Sequence, residues 1–337
     1  MFRVSRREFV LSAAAVAAAF GLDGPMAVNA QAAKPKPTQA KPPQQKTTDP
    51  KPGIHRYKVG DAECTVLYDG IWEKAHDAAF FKNAGIADTK QALAAAGLRN
   101  DFIPIPIMVL VIKVNGKLIL CDAGGGGQVQ AFNPKSVFVS GKMRGHMRAA
   151  GIDPAKIDTI LISHFHPDHI FGLLTAKTNE PVYPNAEIIV PAAEYKWWTD
   201  PSLIGRLPAA RQPLAKRIQA VVPKWKNVLP VEGDEEVVPG IRFLQAPGHT
   251  IGHAVFQLSS GDEQLMITND AIYMPALVAA HPNWQGAYDH DGPLAVKTRR
   301  KLMDQVLSDK MKICGSHFPW PGVGSIAKQG NGYVFTL

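Results

Sequence analysis

Apolar positions along this chain alternate between two spacings: short β-branched runs closed by Gly, Pro or Asn, and longer stretches with helical periodicity. Tyr57 to Val59 and Cys64 to Tyr68 predict a hairpin turning at Gly60-Asp61, and Asp77 to Gly97 predicts an Ala-rich, partly helical stretch interrupted at Gly85. Ile107 to Val114 is continuously apolar. Asn115-Gly116 is a strong hairpin-turn signal, and Lys117 to Cys121 returns as the partner strand. Gly141 to Ala150 reads as a helix closed by Gly151, and Thr159 to Ile162 as a buried strand. Glu187 to Val190 is another strand, Pro191 opens a helix holding Trp197 and Trp198, and Arg206 to Val222 predicts a further helix.

The second half repeats the scheme. Ile241 to Gln245 is a strand, and Ala254 to Leu258 with Leu265 to Thr268 form a hairpin around Ser260-Gly261-Asp262. Leu294 to Leu307 reads as a helix and Met311 to Cys314 as a strand. This order implies an α/β protein with helices on the outer faces of its sheets.

The first 52 positions do not fit that scheme. Ser5-Arg6-Arg7-Glu8-Phe9-Val10 followed by an apolar stretch to Phe20 resembles a twin-arginine signal peptide over residues 1–30, too short for a comfortable membrane span. Residues 31–52 are rich in Pro, Lys, Gln and Thr and read as a disordered linker, leaving residues 53–337 as one folded domain. Periplasmic delivery by the twin-arginine export machinery is therefore expected. Residues 1–52 also hold +5 of the net +8, so the folded part keeps +3 and no nucleic-acid partner is expected. Cys64, Cys121 and Cys314 form no disulfide framework and read as small buried hydrophobes.

The chemistry concentrates in His164-Phe165-His166-Pro167-Asp168-His169, just after the strand Thr159 to Ile162. Two histidines two residues apart on extended backbone leave on the same side, and Pro167 suits the first turn of a helix that carries Asp168 and His169. So much polarity behind a buried strand is costly unless something binds it, and these ligand types imply a metal. The glycine-rich loop Asp122 to Gly127 lacks the GKS/GKT ending or the helix-opening GxGxxG of a phosphate cradle.

This His-x-His-x-Asp-His run resembles the signature of the metallo-β-lactamase superfamily, with Ser163 where threonine is commoner. That family's later ligands have counterparts here in order: His249 in Pro247-Gly248-His249-Thr250, Asp270 after Met266 to Thr268, and His317 in Gly315-Ser316-His317. The resemblance implies a four-layer αβ/βα sandwich and two divalent metals, Zn²⁺ first, with Mn²⁺, Fe²⁺ or Co²⁺ as alternatives. It places His164, His166 and His249 on one metal, Asp168, His169 and His317 on the other, and Asp270 between them. A bridging hydroxide would attack an ester, lactone or organophosphate triester, with Asp168 passing a proton to the departing oxygen. Asp122 and His253 are expected just behind the ligands.

Within the family, Tyr68-Asp69-Gly70 and Phe318-Pro319-Trp320-Pro321-Gly322 resemble the methyl parathion hydrolase branch and, more distantly, acyl-homoserine lactonases. Phe165, Phe171, Trp197, Trp198 and Tyr273 are the candidate substrate contacts for a small ester or lactone. Adjacent tryptophans on one helix cannot share a core face, so one is expected at the pocket mouth or in homodimer packing. A glyoxalase II-like thiolester hydrolase and a non-catalytic metal-binding protein of the same fold are the alternatives.

Overall fold

The computed structural model describes residues 49–129 and 135–337. The twin-arginine motif and most of the 31–52 segment lie outside the described residues.

Fifteen strands form two sheets among the described residues. The first sheet takes β1 (Ile54–Val59), β2 (Ala62–Lys74), β3 (Ile103–Val114), β4 (Lys117–Cys121), β5 (Val137–Val139), β6 (Thr159–Leu161), β7 (Glu187–Pro191) and β8 (Val228–Val231). Its order is β1-β2-β3-β4-β6-β7-β8, with β5 on β2. The second takes β9 (Glu235–Val238), β10 (Ile241–Gln245), β11 (Ala254–Ser260), β12 (Glu263–Ile267), β13 (Lys312–Cys314), β14 (Val323–Gln329) and β15 (Gly332–Thr336), in the order β15 to β9. Residues from both sheets, such as Ile112, Ile119, Leu265 and Ile313, are fully buried in one continuous core. This is the expected α/β sandwich. β3 reads as a near-continuous apolar run because its central residues are buried on both faces.

Pairing explains where the ligands sit. β4, β6, β7 and β8 run parallel, and β12 pairs β13 in parallel, so their carboxyl ends share one edge of the molecule. Parallel sheets present ligands at those ends. His164 follows β6, Asp270 follows β12 and His317 follows β13.

Several elements differ from expectation. Gly85 is the N-cap of a helix spanning Ile86–Ala95, its N–H bonded to Asp88, so it starts the helix rather than interrupting it. The single helix expected from Arg206 to Val222 divides into Leu203–Arg206, a 3₁₀ turn Ala209–Arg211 and Gln212–Val221. Pro208 holds an extended ψ, and Pro213 suits only the first turn of a new helix. The three cysteines are free and buried.

Candidate metal centre and active site

The site is assembled from four strand ends. Beyond β6 the backbone stays extended through His166, which caps the one-turn helix Pro167–Ile170. Gly172, just past it, packs against the glycine loop; a Cβ there would lie 1.8 Å from the Ala123 carbonyl oxygen. His249 sits in a turn after β10, where Gly248 adopts φ +131° and a Cβ would lie 2.4 Å from the Ala295 nitrogen. The helix Gly292–Ser308 can therefore press directly on that turn. Asp270 lies in a 3₁₀ turn, Asn269–Ile272, and His317 follows β13.

Together these elements bring seven buried side chains into two groups, His164, His166, His249 and Asp270 in one and Asp168, His169 and His317 in the other. Within each group the ligand atoms lie within 4.8 Å of one another. Asp270 faces both. Its Oδ1 is 3.3 Å from His169 Nε2 and 3.3 Å from His317 Nε2, while its Oδ2 is 3.3 Å from His249 Nε2 and 3.9 Å from His164 Nε2. Asp168 Oδ2 lies 3.3 Å from His317 Nε2 and 3.7 Å from His169 Nε2.

These residues fit a pair of cations on their own chemistry. His166 Nδ1 lies 2.9 Å from His164 Nε2 and 3.1 Å from His249 Nε2, so several imidazole nitrogens crowd one point. His169 Nε2 and Asp270 Oδ1 are buried and, although 3.3 Å apart, neither makes a well-aligned hydrogen bond among the described residues. Orphaned buried polar atoms cost about 1–3 kcal/mol each unless a ligand satisfies them. The donor set suits two divalent metal ions.

A layer of acceptors behind the imidazoles orients them. His169 Nδ1 donates to Asp122 Oδ2 at 2.7 Å, His249 Nδ1 to Asp289 Oδ1 at 3.0 Å, and His317 Nδ1 to the Pro106 carbonyl at 2.6 Å. Each contact leaves Nε2 facing inward. His253, expected behind the ligands, packs its ring 5.0 Å from His164 and 5.7 Å from His249.

Electrostatics divide the histidines. Burial, reinforced by neighbouring imidazoles, drives His164 and His166 well below the usual histidine range. Burial also opposes charge on His249 and His317, but Asp270 and Asp289 raise the first to about 9, and Asp270 and Asp168 raise the second to about 10. Burial likewise opposes the charge of Asp270, yet His317 and His169 hold it well below the usual carboxylate range.

The ligands open onto a small cavity of about 30 Å³ lined by Trp72, Phe80, Ile105, His166, Asp168, His249, Asp270, Tyr273, Tyr288 and His317. Of the aromatic residues expected there, Tyr273 is present, its hydroxyl buried and without a hydrogen-bond partner among the described residues. Glycine is required beneath it, since a Cβ at Gly286 would lie 1.8 Å from that hydroxyl.

The other four are corrections. Phe165 stands between two ligands on extended backbone, so it points the opposite way and packs its ring 5.3 Å from Trp225. Phe171 is buried under the Arg217 guanidinium, 5.7 Å from its ring. Trp198 is buried with Nε1 donating to Glu194, and Trp197 lies edge-on to His290 at 5.7 Å. None of the four lines the cavity. Trp72, Phe80, Ile105 and Tyr288 take that place instead. No motif marked them, although Trp72 and Ile105 lie directly opposite each other on the paired strands β2 and β3.

A larger open groove, about 720 Å³ and lined by Lys117, Asp158 and Asn227, lies at the opposite end of the parallel strands. No metal-ligand cluster falls there among the described residues.

A sequence model of the metallo-beta-lactamase superfamily matches residues 103–317. The chain is 27% identical over 232 residues to an N-acyl homoserine lactonase of a Bacillus species, covering 64% of this chain and 83% of that one. A Bacillus cereus N-acyl homoserine lactonase is also 27% identical, but the match spans 60% of its length. Among solved structures, AidC, a dizinc quorum-quenching lactonase in complex with a product, superposes with a TM-score of 0.75 at 28% identity. That match covers 84% of this chain and 97% of AidC. The hydrolase AbOPH of the same superfamily gives 0.74 at 24% identity over 84% of this chain and 96% of that one, a likeness of fold.

Proposed function

Because this chain belongs to the metallo-beta-lactamase superfamily and is a metal-dependent hydrolase, we propose that it opens the ring of an N-acyl lactone, with small aryl esters as secondary substrates. The observation that carries the proposal is Asp270, whose two oxygens face two separate ligand groups at the floor of an aromatic cavity. His164, His166, His249 and Asp270 would hold one metal and Asp168, His169 and His317 the other, where the pair would supply Lewis acidity toward a substrate carbonyl and lower the pKa of an attacking water. We favour Zn²⁺ in both positions, since imidazole and carboxylate without thiolate suit it.

The protein's own groups do the rest. Trp72, Phe80 and Tyr288 offer an apolar wall to an acyl chain, which gains about 25 cal/mol for each Å² of apolar surface it buries. The unpartnered Tyr273 hydroxyl donates to a substrate oxygen on arrival, which satisfies the hydroxyl and fixes the carbonyl's orientation. Asp168, on the cavity wall beside His317, is placed to take the proton released by the attacking water and hand it to the departing ring oxygen.

We further propose that Ser5 to Val10 acts as a twin-arginine export signal. Cell fractionation tests it: Arg6→Lys with Arg7→Lys should retain the protein in the cytoplasm, and unchanged export would refute it. The catalytic reading is tested on metal-loaded protein with N-hexanoyl homoserine lactone, p-nitrophenyl acetate, paraoxon and S-lactoylglutathione. The lactone should show the highest kcat/KM. Faster turnover of the thiolester would transfer the site to the glyoxalase II class.

A further inference from the structure

Among the buried carboxylates outside the ligand motifs, one spans two of the ligand-bearing segments. Glu194, in the first turn of the helix Ala192–Thr199, is fully buried. No lysine, arginine or histidine forms an ion pair with it among the described residues. Its partners are all donors. Oε1 accepts from the Phe165 N–H at 3.1 Å and from Trp198 Nε1–H at 2.8 Å, and Oε2 accepts from the Gly252 N–H at 3.1 Å.

The positions of those donors matter. Phe165 is the residue between His164 and His166, and Gly252 lies three residues after His249. One side chain therefore ties together the two segments that supply all three histidines of one ligand group. Gly252 makes the approach close, since a Cβ there would lie 2.4 Å from the Glu194 nitrogen. The segments are joined nearby by the Ala254 N–H to the Ser163 carbonyl at 2.9 Å, so Glu194 fixes the second point of a two-point attachment. The other ligand group, Asp168, His169 and His317, hangs on Asp122 and Pro106 and makes no hydrogen bond to Glu194 among the described residues.

We infer that Glu194 is a positioning residue that sets the spacing of His164 and His166 against His249, and so tunes the affinity of one metal position selectively. The inference rests on the two-metal reading of the site. Two hydrogen bonds reaching opposite segments give Glu194 the leverage, because a buried donor left without its acceptor must move or pay its full desolvation. Glutamine keeps the size but replaces one acceptor with an NH₂ group, which would face either the Phe165 and Trp198 donors or the Gly252 donor.

The test is titration of metal-free full-length protein with Zn²⁺ against a chromophoric chelator, read as two binding steps, with thermal melting of the metal-free form alongside. Glu194→Gln should weaken one step by about 10–100-fold, the usual effect of disturbing a group behind a metal ligand, and leave the other unchanged. In a His317→Ala background, which disables the other group, the surviving step should weaken by the same factor. Trp198→Phe removes one donor yet leaves both cross-segment bonds, so a smaller loss in the same step is expected even if Glu194→Gln fails to fold. Equal weakening of both steps, in parallel with the melting temperature, would reduce Glu194 to a general core residue and overturn the inference. So would wild-type affinity in both variants. A wild-type chain that takes up no metal would instead overturn the reading of the site itself.

Discussion

Asp122→Asn is the sharpest probe of how this site is held. Asp122 is buried and sits at φ 59°, a conformation asparagine also tolerates, so the substitution leaves the backbone and the volume alone. The carboxylate is saturated. Oδ1 accepts from the Ser163 N–H at 2.8 Å, and Oδ2 accepts from the Ser163 hydroxyl at 2.8 Å and from His169 Nδ1–H at 2.7 Å. An amide cannot reproduce this in either orientation. With its NH₂ toward Ser163, two N–H donors meet. With its NH₂ toward His169, the imidazole must move its proton to Nε2, the atom that faces Asp270 and a metal. Losing a bond to a charged acceptor costs roughly 1.5–3 kcal/mol, and leaving a buried donor unpaired adds to that, so a total of about 2–4 kcal/mol is expected. For a domain of this size, that lowers the melting temperature by roughly 3–7 °C. Metal affinity at the Asp168, His169 and His317 group should fall about 10–100-fold. Calorimetry of the metal-free protein and chelator-competition titration read the two effects separately. An Asp122→Asn protein that melts and binds metal like wild type would refute the role assigned to this carboxylate.

Other outcomes follow from the same geometry. In the metal-free protein, His249 and His317 have folded-state values raised to about 9 and about 10. Their stabilisation is thus complete below the unfolded value of about 6.5 and is lost as pH rises through 9 and 10. Chemical denaturation of metal-free protein across pH 6 to 10 should show this decline; flat stability would contradict it. Gly172→Ala drives a Cβ into the Ala123 carbonyl and should destabilise by about 1–3 kcal/mol in urea titration. Tyr273→Phe should lower kcat by about tenfold, the worth of one hydrogen bond, with both metals retained on elemental analysis. Trp72→Ala should raise KM for a long-chain lactone by about tenfold or more and leave metal content intact.

Much of this site is legible in the chain because it is local. His164, His166, Asp168 and His169 occupy six consecutive positions, and strand alternation followed by Pro167 dictates where each points. The same alternation places Phe165 on the opposite face, away from the cavity and against Trp225. The turns carrying His249, Asp270 and His317 are short motifs, and they remain recognisable as such.

The groups that hold and surround the ligands carry no such mark. Asp289 reaches His249 from 40 positions away, Glu194 reaches Phe165 from 29, and the Trp72 and Phe80 wall precedes every ligand in the chain. The family resemblance implies Asp122 behind the ligands, but only the folded chain shows it bonded to His169. The chain by itself therefore determined the strands, the ligand types and the direction of those in the central motif, because period and backbone chemistry act over a few residues. Which acceptor stands behind each imidazole, and which rings face the cavity, were decided by how two sheets and their covering helices pack. Those contacts join distant segments whose pairing no local pattern encodes.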